Sequence, residues 1–528
     1  MAGRLGSLKA QICLLFIPTL IASIYLLSKG EFVTLLAINV LVSVSAFVLY
    51  YAKKRIPRTI DAQLVSLLLH MYAISHGEIG PEDLVKTIAE TKDYGYYSQV
   101  FSKILELAKE YGYGITKATS ELSNMTKPPF KDVLIRCQQA FSSTRPKGYL
   151  ELESSTMAEE YSGYYERSIK SIEMLGGVYS TFSSVAIFIV MILDIIVVFT
   201  NDPNMVPLGY FVSSICLIAM FIGFKAVVPK DVLIHIDKDM PPKLYTRFKL
   251  ALPIALACIA PAIMVGMIFG PAYGLLVCGL AFLAPGFFAY KFETFVMKVD
   301  ENYPTLIKGL GENMASSSSL QNALSYVLYL ELGRLKKLLK RVFARVKLGV
   351  TNAKALSLLS SEAASYNVYM SNKMFLDSFN SGADVLEVGK ILGNHCVRNL
   401  QFRKKRESVA KTIAATTFLL QPITVALLTS LTFLTAFFSR TLTSVPQIFT
   451  FGAIPTEIIE IGNVFMILLT IALNSLTLKE ARGGFWGTTF MYASILLLLS
   501  GAAWIGANII MDLSFGTAFG SLEQVLTT

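Results

Sequence analysis

The chain has 528 residues, of which 53% are hydrophobic and only 16% charged, where a soluble globular chain carries roughly 25% charged residues. A charge density this low over this length excludes a fully soluble protein, because much of the chain must sit in a medium that rejects charge. The net charge is +10, and nearly all of it falls in one polar segment.

The first apolar run, about 11–28, follows Arg4 and Lys9. No small-residue cleavage site ends it, and a second run, 32–51, begins at once, so the pair is expected to be a retained transmembrane hairpin rather than a signal peptide. Seven further stretches are long enough to span, at about 20 apolar residues each: 175–200, 206–228, 250–270, 273–290, 413–438, 456–478 and 487–511. Two long polar stretches interrupt them. The expected organisation is therefore 1–51, a hairpin; 52–174, a first helical domain; 175–290, four spans; 291–412, a second, basic helical domain; and 413–528, three spans and a tail. The fold class is all-α, a polytopic membrane protein with about nine transmembrane helices and two cytoplasmic helical bundles.

Orientation follows from basic residues. With the N-terminus in the cytoplasm, only Lys29 and Arg440 of the 47 Lys and Arg residues fall outside. An odd number of spans then leaves the C-terminal tail outside, and that tail has no Lys or Arg. The external loops are short apart from roughly 439–455, so the working surface is expected to face the cytoplasm, which argues against a receptor or adhesin.

Within 52–174, Leu64, Leu67, Leu68 and Met71 recur at i, i+3, i+4 and i+7, and Phe101, Ile104, Leu105 and Ala108 repeat the stripe; Leu335, Leu338, Leu339 and Val342 do the same in 291–412. This is helical periodicity, and strand alternation with Asn-Gly turns is missing. The two segments also resemble each other. Each has a proline near its membrane exit, Pro57 and Pro304, and a polar break, Ser75-His76-Gly77 and Ser316 to Ser319. Gly114-Ile115-Thr116-Lys117-Ala118 lines up with Gly349-Val350-Thr351-Asn352-Ala353, and Phe141-Ser142-Ser143 with Phe379-Asn380-Ser381-Gly382. An internal duplication is the expected reading. Charge divides the copies: 52–172 has 16 basic and 15 acidic residues, 291–411 has 19 and 10.

Catalytic signatures are sparse. No GxxxxGK[ST], HExxH or GxSxG pattern occurs; Gly483-Gly484 lacks the lysine of a phosphate loop. The six cysteines (Cys13, Cys137, Cys216, Cys258, Cys278, Cys396) and four histidines (His70, His76, His235, His395) show no ligand spacing, so neither a metal, a disulfide nor a cofactor is expected. The sequon Asn124-Met125-Thr126 falls on the cytoplasmic side, where it is silent. Gly266, Gly270 and Gly274 recur every four residues, a spacing that lets helix backbones approach.

Three polar features are candidates for function. Asp194 lies within a span, where an acid costs about 2.5–3.5 kcal/mol on insertion scales; the choice is between a proton or ion site and a helix–helix hydrogen bond to a neighbour such as Asn463 or Asn474, and its isolation favours the second. Arg334, Lys336, Lys337, Lys340, Arg341, Arg345 and Lys347 make an amphipathic basic helix that could dock an acidic protein, lie on anionic lipid or be merely solvated; docking is favoured. Arg403-Lys404-Lys405-Arg406 directly precedes a span and reads as a topology anchor.

The layout, together with Ser75-His76-Gly77-Glu78-Ile79 through Leu84 and Phe379 through Leu386 with Gly382, resembles the archaeal pilus and archaellum assembly platform proteins. These are relatives of the F protein of type II secretion and of the inner-membrane platform of type IV pili. Ser316 to Ser319 stand where that pattern has glycine. The resemblance implies a non-enzyme that couples a separate cytoplasmic hexameric ATPase to assembly of pilin-like subunits, contacts membrane lipids, forms a homodimer and binds no nucleic acid. The rival is a secondary transporter or permease with cytoplasmic regulatory domains; apart from Asp194 the spans offer it little polar pathway.

Overall fold

A computed structural model of the chain describes residues 60–143, 146–200, 205–237, 240–317, 319–444 and 456–527. The expected N-terminal hairpin, with Cys13 and Lys29, lies outside them, as does Pro57 at the start of the first polar segment. The first polar segment folds as α1 (Ala62–Ile74), α2 (Pro81–Glu90), α3 (Tyr96–Lys109), α4 (Gly114–Met125), α5 (Phe130–Ser142) and the start of α6 (Lys147–Thr200). Then come α7 (Met205–Val227), α8 (Lys243–Ala257), α9 (Ile259–Phe269) and α10 (Pro271–Ser317). The second polar segment follows as α11 (Leu320–Val327), α12 (Leu335–Lys347), α13 (Asn352–Ala363), α14 (Tyr366–Asn380) and the start of α15 (Val385–Ser444). Last are α16 (Thr456–Arg482) and α17 (Thr489–Thr527). Among the described residues the only extended pairing is one bridge between Ile234 and Ser365.

Seven segments among the described residues are long and apolar enough to cross a membrane, and they coincide with the seven stretches expected after the hairpin. The protein is an all-α polytopic membrane protein. Two details differ from expectation. The stretch 250–270 is two helices, not one, broken at Cys258; Pro261 has no N–H to give the carbonyl four residues back. Pro304 marks no boundary, since it sits inside α10, which runs unbroken from the bundle into the second domain.

The two polar segments have the same helix order. In each, the first helix packs on the sixth, and every helix from the second onward packs on its successor, α2 to α6 in one and α11 to α15 in the other. Gly95 and Gly333, 238 residues apart, take positive φ just before the third helix of each copy, and Gly114 and Gly349 do so at the turn into the fourth. Leu64, Phe101 and Leu134 of the first copy share one hydrophobic core with Leu306, Leu339 and Phe375 of the second. At the seam His70 Nε2 lies 3.2 Å from Asp377, and Gly77 packs directly on the backbone of Ser381. The correspondence continues into the bundle: α6 packs on α7, α15 on α16, and the pairs meet as α6 on α15 and α7 on α16. At the hairpin between α9 and α10, a Cβ on Gly274 would fall 2.9 Å from the Gly266 Cα, so those small residues serve close packing.

Candidate functional site at the junction of domains and bundle

Where the long helices leave the bundle for the polar domains, charged side chains are buried rather than solvated. Arg406 of α15 is 2% exposed. Its Nε donates to the Ala481 carbonyl at 2.9 Å and its Nη2 to that of Glu480 at 2.6 Å. These are end-of-helix carbonyls of α16 with no partner inside their own helix. Its Nη1 reaches the Pro229 carbonyl and, at 2.9 Å, Asp231. Tyr165 of α6 donates to the same carboxylate. One guanidinium thus ties α15, α16, the segment leaving α7 and, through Asp231, α6. Such geometry suits Arg, whose planar fork presents five donors.

Two more pairs flank it. Arg403 bonds Asp300 of α10, which also accepts from Ser365. Arg482 lies 3.1 Å from Glu293 of α10 and 3.9 Å from Glu407 of α15, and Glu293 accepts the Phe485 N–H at 2.8 Å. The turn between α16 and α17 threads through this cradle. Gly483 and Gly484 have φ of +73° and +83°, which L side chains avoid. A Cβ on Gly483 would lie 2.8 Å from Arg406 Cζ, and one on Gly484 2.7 Å from Glu293 Oε2. Between them is a cavity of about 30 Å³ lined by Asp231, Glu293, Arg403, Arg406, Glu407 and Arg482.

The segment after α7 extends from this cluster into both domains. Tyr366 donates its N–H to the Leu233 carbonyl, and His235 donates its N–H to that of Ala364. The His235 ring stacks on Tyr369 with centroids 3.7 Å apart, and Tyr369 donates to Asp93 of the first domain at 2.9 Å. Burial holds both His235 and His70 below the ordinary histidine range, in His70 against the opposing pull of Asp377.

The run 403–406, expected as a topology anchor, divides between two faces of α15. Lys404 and Lys405 are exposed and pair with Glu301 and Glu166, but Arg403, partly buried, and Arg406, buried, lie three residues apart on another face and hold the junction. Sequence reasoning missed Asp231, Glu293, Asp300 and Arg482 because each looks like an ordinary charge flanking a span. The Gly-Gly pair beside Arg482 was the available signal.

The basic helix α12 buries Leu335, Leu338, Leu339 and Val342. Arg334, Lys337, Lys340, Arg341 and Lys347 are exposed, Lys336 and Arg345 partly so. Arg341 and Arg345 are held by Glu362, at 3.3 and 2.5 Å; Lys336, Lys337, Lys340 and Lys347 have no ion-pair partner among the described residues. The junction and this helix are separate places.

Asp194 is fully buried in the bundle. Its partner is neither Asn directly: Tyr210 of α7 donates to it at 2.9 Å and lies 2.7 Å from Asn463 Oδ1. Asn474 instead donates to Gln421 in a second polar layer. Among the described residues no group of three or more His, Cys, Asp and Glu is arranged to hold a metal. Burial pushes the Cys137 thiol up to about 12, so it is an inert core residue.

No family model and no solved structure matches the chain. Two curated proteins are similar to it. Flagella accessory protein J of Methanocaldococcus jannaschii is 24% identical over 425 residues, covering 74% of this chain and 74% of the relative. Flagella accessory protein J of Methanococcus voltae is 21% identical over 373 residues, covering 65% of this chain and 66% of the relative. By fold the chain is an all-α polytopic membrane protein, and along most of its length it is similar to archaeal flagella accessory protein J.

Proposed function

We propose that this protein is the membrane platform of an archaellum or related type IV pilus-like filament machine, in the superfamily of the type II secretion F protein. It is not an enzyme. It receives force from a separate cytoplasmic hexameric ATPase and passes it to membrane-embedded pilin-like subunits. The observation that carries this reading is the junction. Arg406, Arg403 and Arg482 fasten the long helices of the second domain to the spans through largely buried ion pairs, and Tyr165, bonded to the same Asp231, ties in the helix that leaves the first domain, so a push on either domain reaches the bundle rather than being lost in a flexible linker. The similarity to flagella accessory protein J supports the filament assignment.

The domains face the cytoplasm, with the N-terminus inside and the C-terminus outside. The placement of 45 of 47 basic residues supports this, and so does α17, which runs antiparallel to α10 and so away from the second domain, its Met491, Leu498 and Gly501 lying against Gly286, Gly279 and Leu276 in turn. The ATPase docks on the free cations of α12. Gly333, just before that helix, sits beside Asn302, about 12 residues past the end of the apolar span near 290, hence about 18 Å along α10. That stand-off favours an acidic protein surface over lipid headgroups. The platform acts as a homodimer, bringing two such helices to one ring. The test is binding of the ATPase to the full-length protein in detergent. Lys336→Glu with Lys337→Glu and Lys340→Glu should abolish it while membrane insertion is retained; undiminished binding would remove α12 as the contact.

A further inference from the structure

The intramembrane acid sits at the meeting point of the two repeats. Asp194 on α6 and Thr432 on α15 are 238 residues apart, the same offset as Gly95 and Gly333. Gly209-Tyr210 near the start of α7 and Gly462-Asn463 near the start of α16 occupy comparable places in the two halves, at an offset of 253 residues, and Gly462 is the flat surface on which the Tyr210 ring lies. The four polar side chains form one chain of contacts. Asp194 Oδ2 is 2.9 Å from the Tyr210 hydroxyl, which is 2.7 Å from Asn463 Oδ1. Asn463 Nδ2 donates to Thr432 at 2.8 Å, and Thr432 donates to the Leu428 carbonyl. Each repeat supplies two members, and the link between repeats is Tyr210 to Asn463.

The proton inventory of this quartet does not close. Tyr210 has one O–H, yet it stands within reach of three acceptors: Asp194, Asn463 and, at 3.3 Å, the Ile459 carbonyl. One of the two N–H groups of the Asn463 amide goes to Thr432, and the amide oxygen rather than the nitrogen faces Tyr210, so this amide supplies no donor to Tyr210 or Asp194. The second carboxylate oxygen of Asp194, Oδ1, is buried with no partner among the described residues. Tyr210 is the titratable group facing Asp194; no Lys, Arg or second acid acts on it among the described residues. A site with more acceptors than donors, cut off from water, is costly unless something positive fills it.

We propose that the quartet is a proton-binding site shared by the two repeats. One proton, taken from water, rests on the Asp194 carboxyl. The acid O–H then donates to the Tyr210 oxygen, which frees the Tyr210 O–H to donate to Asn463. Every bond in the chain runs one way, from α6 through α7 and α16 to α15, and the repeats are joined. When the proton leaves, the Tyr210 hydroxyl turns to the carboxylate and Asn463 loses its donor. The contact between repeats is thereby tied to occupancy of the site.

The test is infrared difference spectroscopy on the full-length protein in lipid nanodiscs near neutral pH, with carboxyl-labelled aspartate. A carboxylic-acid C=O band is expected that shifts in D2O, disappears in Asp194→Asn and moves in Tyr210→Phe. Should Asp194→Asn fail to fold, Asp194→Glu, which takes the unlabelled carboxyl out of the labelled set, reports the same loss. A labelled carboxylate doublet at this position, with no acid band, would overturn the proposal; so would an acid band that ignores Tyr210→Phe.

Discussion

Arg406 and Asp231 meet at 2.9 Å with side chains only 3% and 16% exposed, and through this pair the helix leaving the second domain grips the segment leaving α7. Removing one partner of a buried pair strands the other. Arg406→Ala should cost about 3–5 kcal/mol, beyond the loss of the α16 carbonyl contacts, and should abolish filament assembly. Tyr165→Phe leaves the pair intact and should be far milder. Thermal unfolding in detergent, with filament counts in cells, checks both.

Gly484→Ala is expected to be damaging out of proportion to one methyl group. The backbone alone costs about 1–2 kcal/mol at this φ, and the new Cβ meets Glu293 at 2.7 Å. Gly506→Ala, a helical position with open space around it, is the control and should melt at or above the wild-type temperature.

The ATPase contact should weaken as salt rises, because exposed charges are screened over about 8–10 Å at physiological ionic strength. The salt slope should flatten in the Lys336, Lys337 and Lys340 charge reversal. Arg341→Glu is the contrasting variant: it breaks a contact with Glu362 and should perturb folding as well as binding. Titrating binding against NaCl separates the two.

Acid should loosen the seam between the domains. Burial holds the folded His70 below its ordinary value of 6.5. The unfolded chain therefore takes up a proton first as pH falls, and stability declines below about 6.5 until the folded histidine titrates too. Asp377 opposes this and Lys373 adds to it. His70→Gln should flatten part of the pH dependence of the melting temperature in that window.

Cysteine labelling tests orientation. On a background without native cysteines, Tyr329→Cys, at a position 87% exposed, should stay unlabelled by an impermeant reagent in intact cells, and Gly516→Cys should react. Ser360 is 1% exposed and would be silent on either side.

Asp194→Asn should retain filament assembly, since the amide can donate to Tyr210 as a neutral acid does, whereas Asp194→Leu should impair folding or assembly. Protein level and filament number in cells distinguish the outcomes.

Much of this architecture is legible one residue at a time. Span positions follow from hydropathy, and the helical domains from stripes such as Leu64, Leu67, Leu68 and Met71, because the membrane and the helix impose local rules that any window of sequence must obey. The basic face of α12 and the isolation of Asp194 are local in the same way. The junction is not local. Arg406 and Asp231 are 175 residues apart and Glu293 and Phe485 192 apart, and nothing in either neighbourhood distinguishes a buried charge from a solvated one. Arg403 and Arg406 are cations in the same short run as Lys404 and Lys405 but occupy another face of α15, and what covers that face is decided by other helices. The same holds for Asp194: sequence limited it to a polar partner, but Tyr210 was selected by the packing of α6 on α7 and of α7 on α16, where the two repeats bring their polar side chains to one point.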